Sequence, residues 1–144
     1  NVGGRDLINK LVKSAKDYPI EIIENPDFNQ LKRLYGRAKI FWSASGFGVD
    51  QYRESEKVEH FGITVVEAMA AGCAPVVLNK GGHKEIIKDP VDGILWDNVN
   101  QLTSATKMLI TNESKLKTIT ANAQKKSESF SQKRFKDEIK KLVK

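Results

Sequence analysis

Two glutamates eight positions apart, Glu59 and Glu67, stand on either side of a glycine in the segment EHFGITVVE, residues 59–67. The apolar residues after Gly62 predict a helix that begins there. The first amide N–H groups of a helix have no partner within it and carry positive potential, and a glycine lets a ligand approach the backbone closely. A phosphate would therefore fit against the amides of Gly62, Ile63 and Thr64.

The two carboxylates suit the uncharged parts of such a ligand. Glu67 would repel a phosphate, but it could accept two hydrogen bonds from a ribose diol, as acidic residues do in other nucleotide-binding folds. Glu59 would face whatever is attached to the far side of a diphosphate, and a sugar fits because its hydroxyls donate to a carboxylate. The simpler alternative is that both glutamates are solvated charges. Against it, Glu67 lies among apolar residues, so we expect it to be nearly buried and to need a partner.

The remaining side chains with reactive groups predict packing and not catalysis. His60 has no second histidine nearby, so we expect no metal site there. The single cysteine, Cys73, excludes a disulfide framework or a cysteine-built zinc site within the chain, and its apolar surroundings predict that it packs in the core. His83 follows a pair of glycines and is expected to begin a short helix.

Helices and strands alternate along the chain, which predicts an α/β fold with a parallel sheet. Val2-Gly3-Gly4 is typical of the tail of a strand, Asp27 can cap a helix, and Trp42 and Trp96 end apolar strands and are predicted core residues. Residues 44–58 form a long polar loop, and loops of that length in compact domains are often functional or mobile. The predicted helices cover residues 6–16, 28–38, 63–71, 83–88, 98–110, 113–127 and 131–143, and the predicted strands cover 20–23, 39–43, 74–78 and 93–96.

The net charge of the chain is concentrated at one end. The 144 residues, 40% hydrophobic and 29% charged, suit one globular domain over residues 1–144, with a core at about 20–110 and C-terminal helices at about 113–143. The formal charge is +6, yet residues 1–112 hold 14 basic and 14 acidic side chains, whereas residues 113–144 hold 10 and 4. This distribution argues against a nucleic-acid-binding surface. With no apolar run long enough to span a membrane and no visible signal peptide, we expect a cytoplasmic protein.

The basic residues of the C-terminal helices have two interpretations. One is a solvated helical face, which the sequence favours. The other is a peripheral contact with anionic lipid at the cytoplasmic face of a membrane, where each basic residue near the surface contributes roughly 1 kcal/mol. The residues concerned are Lys125, Lys126, Lys133, Lys136, Lys140 and Lys141.

A series of motifs in the second half of the chain resembles a known family. The motifs are EHFGITVVE at 59–67, AMAAGCAPVV at 68–77, GGHKEII at 81–87, DGIL at 92–95 and Phe130-Ser131. Together they resemble the C-terminal domain of the retaining GT-B glycosyltransferases of family 4, most firmly over residues 20–110, although Gln132 stands where that family often has Trp. The resemblance implies a Rossmann-like, three-layer parallel sheet that forms one half of a GT-B enzyme and is truncated at its N-terminal end.

The resemblance also implies roles for single residues. Glu59 would be the catalytic glutamate, in contact with the donor sugar, and Glu67 would hold the ribose hydroxyls. Ile23-Glu24 would contact the base through the backbone. The sugar and the diphosphate would be bound, mostly by backbone amides, at Phe61, Gly62, Ile63 and Thr64. The donor would be a UDP-, GDP- or ADP-sugar, and neither a metal nor another cofactor would be needed, because helix amides and basic groups take the place of a metal in this fold.

By the same resemblance, this chain would be the donor-binding half of the enzyme. The family's diphosphate-neutralising Arg and Lys would precede Asn1, and the acceptor-binding N-terminal domain would be a missing part of the same protein. We therefore expect these residues to bind a donor but to be inactive alone, since transfer needs a closed cleft. Transfer to a glycan, lipid-linked or other acceptor would retain the anomeric configuration, with the leaving diphosphate assisting the acceptor.

Two alternatives to a glycosyltransferase stay open. One is half of a sugar-nucleotide 2-epimerase, which shares the two-domain architecture but does not normally show Glu59 and Glu67 at this spacing together with Glu85. The other is a non-catalytic nucleotide-sugar-binding or regulatory module.

Overall fold

The computed structural model describes residues 2–143, which divide into two compact units after Leu31. The first unit contains helix α1 (Val2–Ala15) and the beginning of α2 (Phe28–Arg37), and the second unit contains the elements that follow. The assignment of residues 1–144 to a single domain stays a prediction.

Two predictions for the first unit are wrong. Residues Val2–Gly4 begin helix α1 and are not the tail of a strand. Residues 20–23 form no strand, and Ile20 instead donates its N–H to the carbonyl of Tyr18, at 2.7 Å. A short apolar run becomes a strand only where a neighbouring strand satisfies its backbone groups, and the run itself carries no information about that neighbour.

The second unit is built on a parallel sheet, as predicted. In the described part of the chain the sheet has three strands in the order β1-β2-β3: β1 (Ile40–Ser43), β2 (Ala74–Leu78) and β3 (Ile94–Trp96). Both strand pairs are parallel, with Ile40 opposite Ala74 and Val76 opposite Ile94. The helices of this unit that follow α2 are α3 (Ile63–Ala70), α4 (His83–Ile86), α5 (Val99–Thr111), α6 (Glu113–Ser127) and α7 (Gln132–Leu142), with 3-10 turns at Ser55–Lys57 and Glu128–Phe130.

Strand β2 lies at the centre of the core and is buried along its whole length. Successive side chains of a strand point to opposite faces, so β2 contributes to two apolar clusters. One cluster contains Val65, Met69, Val77, Ile86, Ile87 and Ala123. The other contains Ala74, Val76, Leu78, Trp96, Leu109 and Ile119.

The two tryptophans have different environments. Trp96 is a core residue, as predicted, and its indole N–H donates to the carbonyl of Val76 at 3.3 Å. The same prediction for Trp42 is wrong, since 57% of this residue is exposed and its Nε1 donates to Thr106 Oγ1 at 3.0 Å. An apolar run predicts a strand but does not say which of its side chains face the core.

Side-chain caps explain where four helices begin. Asp27 accepts the N–H of Gln30 at 2.7 Å and so caps α2, as predicted. The same arrangement begins α5, α6 and α7, where the capping side chains belong to Asn98, Asn112 and Ser131. These caps satisfy amides that the helix itself leaves unpaired. Among residues 2–143, no helix combines the length and the apolar character that crossing a membrane requires.

Candidate functional site

Helix α3 begins without a side-chain cap, directly after Gly62. Gly62 has φ +99°, and a Cβ atom there would lie 3.1 Å from Ile86 Cδ1, so a larger residue would be strained and crowded. The carbonyl of Gly62 accepts the N–H groups of Val65 and Val66, at 3.0 and 3.1 Å. Within residues 2–143 the amides of Ile63 and Thr64 have no hydrogen-bond acceptor, which leaves them available to a ligand.

The segment before α3 is fixed by the turn at Gly81-Gly82. The N–H of Gly82 donates to the carbonyl of Glu59 at 2.8 Å. A Cβ atom on Gly81 would overlap the carbonyl oxygen of Glu59, and one on Gly82 would lie 2.5 Å from His60 O. Only glycine allows this approach of two backbones. The two adjacent glycines are visible in the sequence, but their contact with residues 59–61 is not.

Phe61 and Glu59 have different surroundings. Phe61 is exposed, and its ring meets that of Phe130 edge-on, with centroids 5.7 Å apart. Glu59 is half-buried and lines a cavity of about 470 Å³, together with residues of the 81–85 segment and the preceding loop. Glu59 thus lines a cavity, and Gly62 and the α3 amides follow it in the chain.

Glu67 is exposed, so the prediction that it is nearly buried is wrong. The buried side chains of α3 are Val65, Ala68 and Met69, which share one face of the helix, and Glu67 lies outside that face. It borders a different cavity, of about 660 Å³, with Gln124 of α6 among the other lining residues. The two glutamates thus flank the α3 N-terminus without lining the same cavity.

The pKa of Tyr35 shows that Glu67 influences its surroundings. That pKa is raised, first because the phenol is partly buried and then because the Glu67 carboxylate and Cys73 disfavour a second negative charge nearby. The ring of Tyr35 also packs edge-on against Phe41, at 5.9 Å between centroids. The Glu67 carboxylate therefore lies within electrostatic range of the Tyr35 phenol.

Cys73 packs in the core, as predicted. It is fully buried, and its Sγ lies 3.4 Å from the carbonyl oxygen of Tyr35 and 3.5 Å from that of Ala38. Burial raises the pKa of the thiol, which is the opposite of the shift that activates a nucleophilic cysteine.

The two histidines lie in different surroundings. His60 is exposed, whereas His83 begins α4 and is fully buried, with Nδ1 at 2.8 Å from the carbonyl oxygen of Leu78. Among residues 2–143, no group of three His, Cys, Asp or Glu side chains is arranged to hold a metal ion. That the reaction needs no metal stays a prediction.

Ile23 and Glu24 belong to the first unit, in chain that is neither helix nor strand. Ile23 is half-buried and Glu24 is exposed, and the next residue, Asn25, has φ +45°. Their contact with a base stays a prediction, as do the donor contacts assigned to Glu59, Phe61, Gly62, Ile63, Thr64 and Glu67.

Most of the chain matches a known protein family. The family model of glycosyl transferases group 1 matches residues 3–126. The GDP-Man:Man(3)GlcNAc(2)-PP-Dol alpha-1,2-mannosyltransferase of Xenopus tropicalis is 32% identical over 136 residues, which are 88% of this chain and 25% of that protein. The Dictyostelium discoideum protein of the same name is 32% identical over 87 residues, covering 60% of this chain and 17% of its own length.

A viral protein is similar to this chain as well. Putative glycosyltransferase 41 of Sulfolobus islandicus filamentous virus is 34% identical over 100 residues, covering 61% of this chain and 27% of its own length. The chain thus spans between 17% and 27% of the length of these three curated relatives.

Two solved structures share the fold. Anabaena HepE in complex with UDP-glucose aligns with a TM-score of 0.76 and 20% identity, over 98% of this chain and 37% of that one. The C-terminal domain of the glycosyl transferase group 1 protein LpcC from Francisella tularensis aligns with a TM-score of 0.62 and 26% identity, over 88% of this chain and 62% of that one.

Proposed function

The chain belongs to the glycosyl transferases group 1 family, and from this premise we propose that it binds a nucleotide-sugar donor whose sugar is transferred to an acceptor. The observation that carries the proposal is the uncapped N-terminus of α3, which begins at Gly62 between Glu59 and Glu67. It combines free amides for a diphosphate with two carboxylates for hydroxyl groups.

Each part of the donor has a group that suits it. The amides of Ile63 and Thr64 donate to the diphosphate oxygens, and the adjoining Phe61-Gly62 backbone contacts the sugar and the diphosphate. Glu67, exposed on α3, accepts from the ribose diol. Glu59, fixed through its carbonyl by Gly82, accepts from a hydroxyl of the donor sugar. We propose that no metal takes part, because the amides, with the basic groups that the family resemblance implies, take its place at the diphosphate.

The donor that we propose is a UDP-, GDP- or ADP-sugar, with the backbone of Ile23-Glu24 as the contact for the base. Two comparisons support uracil and guanine as the base. The name of the two mannosyltransferases includes GDP-Man, and HepE was solved with UDP-glucose.

We further propose that these residues are the donor-binding half of a retaining enzyme. The chain spans 17–27% of the length of its curated relatives, so those proteins are long enough to contain a separate acceptor-binding domain. In the transfer, the bond from the sugar C1 to the diphosphate breaks, the acceptor oxygen bonds to C1 on the same face, and the acceptor proton passes to the leaving diphosphate. The configuration at C1 of the product, read by NMR, tests retention in the complete protein.

The basic C-terminal helices also have a proposed role. Helix α7 exposes Phe135, Ile139 and Leu142, which share one face. The charged side chains beside that face are mostly basic, and the acidic Glu138 pairs with Arg134 and Lys141. A helix of this kind suits the interface of an anionic membrane better than it suits bulk water. We therefore propose peripheral membrane contact through α7 in place of the purely solvated face that the sequence favours.

Calorimetric titration of the chain with UDP-, GDP- and ADP-sugars tests the donor site. We expect at least one of them to bind, and Glu67→Ala to weaken that binding about tenfold, since two hydrogen bonds to a charged acceptor are lost. Glu113→Ala is the matched control, because Glu113 is an exposed glutamate on α6 that pairs with Lys117 at 2.8 Å. If no donor binds at millimolar concentration, or if both variants behave alike, the donor site is not where we place it.

A further inference from the structure

The cavity beside Glu59 has one wall that the donor contacts above do not use. This wall is the segment 44–58, called the 44–58 loop from this point, and the opposite wall is formed by residues 81–85. The cavity measures about 470 Å³, within the usual range for small-molecule sites. Polar and aromatic side chains line it, among them Gln51, Tyr52, Ser55, Glu59, Lys84 and Glu85.

The 44–58 loop has a defined internal structure. The Oδ1 atom of Asp50 accepts the N–H of Tyr52 at 3.0 Å, and its main-chain carbonyl accepts that of Glu54 at 2.9 Å. At the start of the loop, Gly46 has φ +83°, and a Cβ atom there would lie 2.8 Å from Val58 Cγ1. The two ends of the loop are therefore in close contact, and Tyr52 is presented from a turn that Asp50 organises.

Lys80 connects this loop to the opposite wall. Its ammonium group donates to the carbonyl of Val49 at 2.5 Å and lies 3.3 Å from that of Gly46. Lys80 immediately precedes the glycine turn, in which Gly82 donates to the carbonyl of Glu59. Three consecutive residues, 80–82, thus hold both the 44–58 loop and Glu59, so the two walls of the cavity are positioned by one segment.

The groups at the cavity are suited to a sugar ring. Tyr52 is 90% exposed, so its ring face is free to pack against the C–H groups of a pyranose, which carry partial positive charge. Glu59 and Glu85 accept hydrogen bonds from hydroxyls, and the ammonium group of Lys84, which lines the same cavity, donates to hydroxyl oxygens. An aromatic ring, two carboxylates and one ammonium group together therefore suit a polyol.

We propose that this cavity is a sugar-ring subsite, with Tyr52 as its aromatic wall and Lys80 as the positioning residue that holds the 44–58 loop in place. The ring comes either from the donor or from a saccharide acceptor, since both present the same hydroxyls and C–H faces. This proposal rests on the proposed function, because a glycosyltransferase binds sugar rings as donor and as acceptor.

The test separates the sugar from the nucleotide. Calorimetry with UDP, GDP, UDP-glucose and GDP-mannose measures the donor arm, and saturation-transfer NMR with methyl glucoside and methyl mannoside measures the free-saccharide arm. The variants are Tyr52→Ala, Lys80→Met and Lys80→Arg, with Lys107→Met, an exposed lysine on α5, as the control for loss of a lysine.

We expect UDP or GDP to bind all variants with affinities within about twofold of the wild type. If the ring comes from the donor, the gain in affinity that the attached sugar provides falls about three- to tenfold in Tyr52→Ala and Lys80→Met. Lys80→Arg restores that gain, because a guanidinium also donates to carbonyls. If the ring comes from an acceptor, the same pattern appears in the saturation transfer to the methyl glycosides and not in the donor titrations.

The remaining outcomes overturn one proposal or both. Nucleotide binding with no effect of Tyr52→Ala in either arm overturns the subsite alone. Saccharide binding that depends on Tyr52, with no nucleotide binding, overturns the proposed function and leaves the subsite. No binding in either arm overturns both. The positioning role of Lys80 is overturned if Lys80→Arg does not restore the sugar affinity that Lys80→Met loses. It is also overturned if Lys107→Met causes the same loss.

Discussion

A Cβ atom has no room at Gly82, where it would lie 2.5 Å from His60 O and 2.7 Å from Phe61 Cα. Because these contacts are with backbone and not with flexible side chains, the Glu59 segment would have to move. We expect Gly82→Ala to lower the free energy of unfolding by about 1–3 kcal/mol and to weaken donor binding. Denaturant unfolding and calorimetry measure the two effects.

Gly36→Ala is the control for this substitution. Gly36 lies in α2, and nothing lies within 4 Å of the position of its Cβ. Alanine should raise the free energy of unfolding there by up to about 1 kcal/mol, since it lowers the entropy of the unfolded chain. Equal stability of Gly82→Ala and the wild type would show that the 59–61 segment moves freely, contrary to the geometry described above.

The buried thiol of Cys73 predicts a dependence of stability on pH. The thiol pKa is ordinarily 9.0 and burial raises it in the folded state. Below pH 9 neither state is ionised and the stability is complete. As the pH rises from 9 through the folded pKa, the unfolded thiol ionises first, so the free energy of unfolding falls.

Cys73→Ala isolates this effect from other groups that titrate in the same range. Denaturant unfolding between about pH 8 and about pH 10.5 should show a steeper loss of stability for the wild type than for the variant, although the variant is less stable throughout. Parallel profiles would mean that the Cys73 thiol ionises alike in both states.

At the scale of elements, the sequence predicts what depends on local pattern. The apolar run at residues 74–78 predicts β2, and Asp27 predicts the start of α2, because burial patterns and caps act within a few residues. The run at residues 20–23 looks similar but forms no strand. Whether a run becomes a strand depends on a neighbour that its own residues do not specify.

In the candidate site, too, local features are visible in the sequence and tertiary contacts are not. The free amides of α3 follow from an apolar helix after Gly62, which is visible in the sequence. The exposure of Glu67 depends on the phase of α3 against the core, since Val65, Ala68 and Met69 occupy its buried face. The contact of Gly82 with Glu59, more than twenty residues apart, and the attachment of the 44–58 loop by Lys80 are tertiary contacts that no local pattern encodes.

At the scale of the whole molecule, charge and proposed role are separated along the chain. The proposed donor contacts lie within residues 1–112, whose charges balance, whereas residues 113–144 carry the net +6. Backbone amides and carboxylates that contact hydroxyls do not rely on net charge. A contact of α7 with anionic lipid does, because its basic residues act over a Debye length.

Salt should therefore weaken vesicle binding much more than it weakens donor binding. Between about 50 mM and about 300 mM salt, we expect the dissociation constant for the nucleotide-sugar to change by less than about threefold, and co-sedimentation with vesicles of phosphatidylcholine and phosphatidylserine to be lost. Phosphatidylcholine vesicles serve as the neutral control.

Replacing Phe135 and Leu142, which are 67% and 82% exposed, by serine should abolish vesicle binding. The donor titration should not change, and the free energy of unfolding should change by no more than about 0.5 kcal/mol for each substitution. Vesicle binding that resists both salt and these substitutions would place the membrane contact elsewhere, and no binding to anionic vesicles at low salt would leave α7 as a solvated helix.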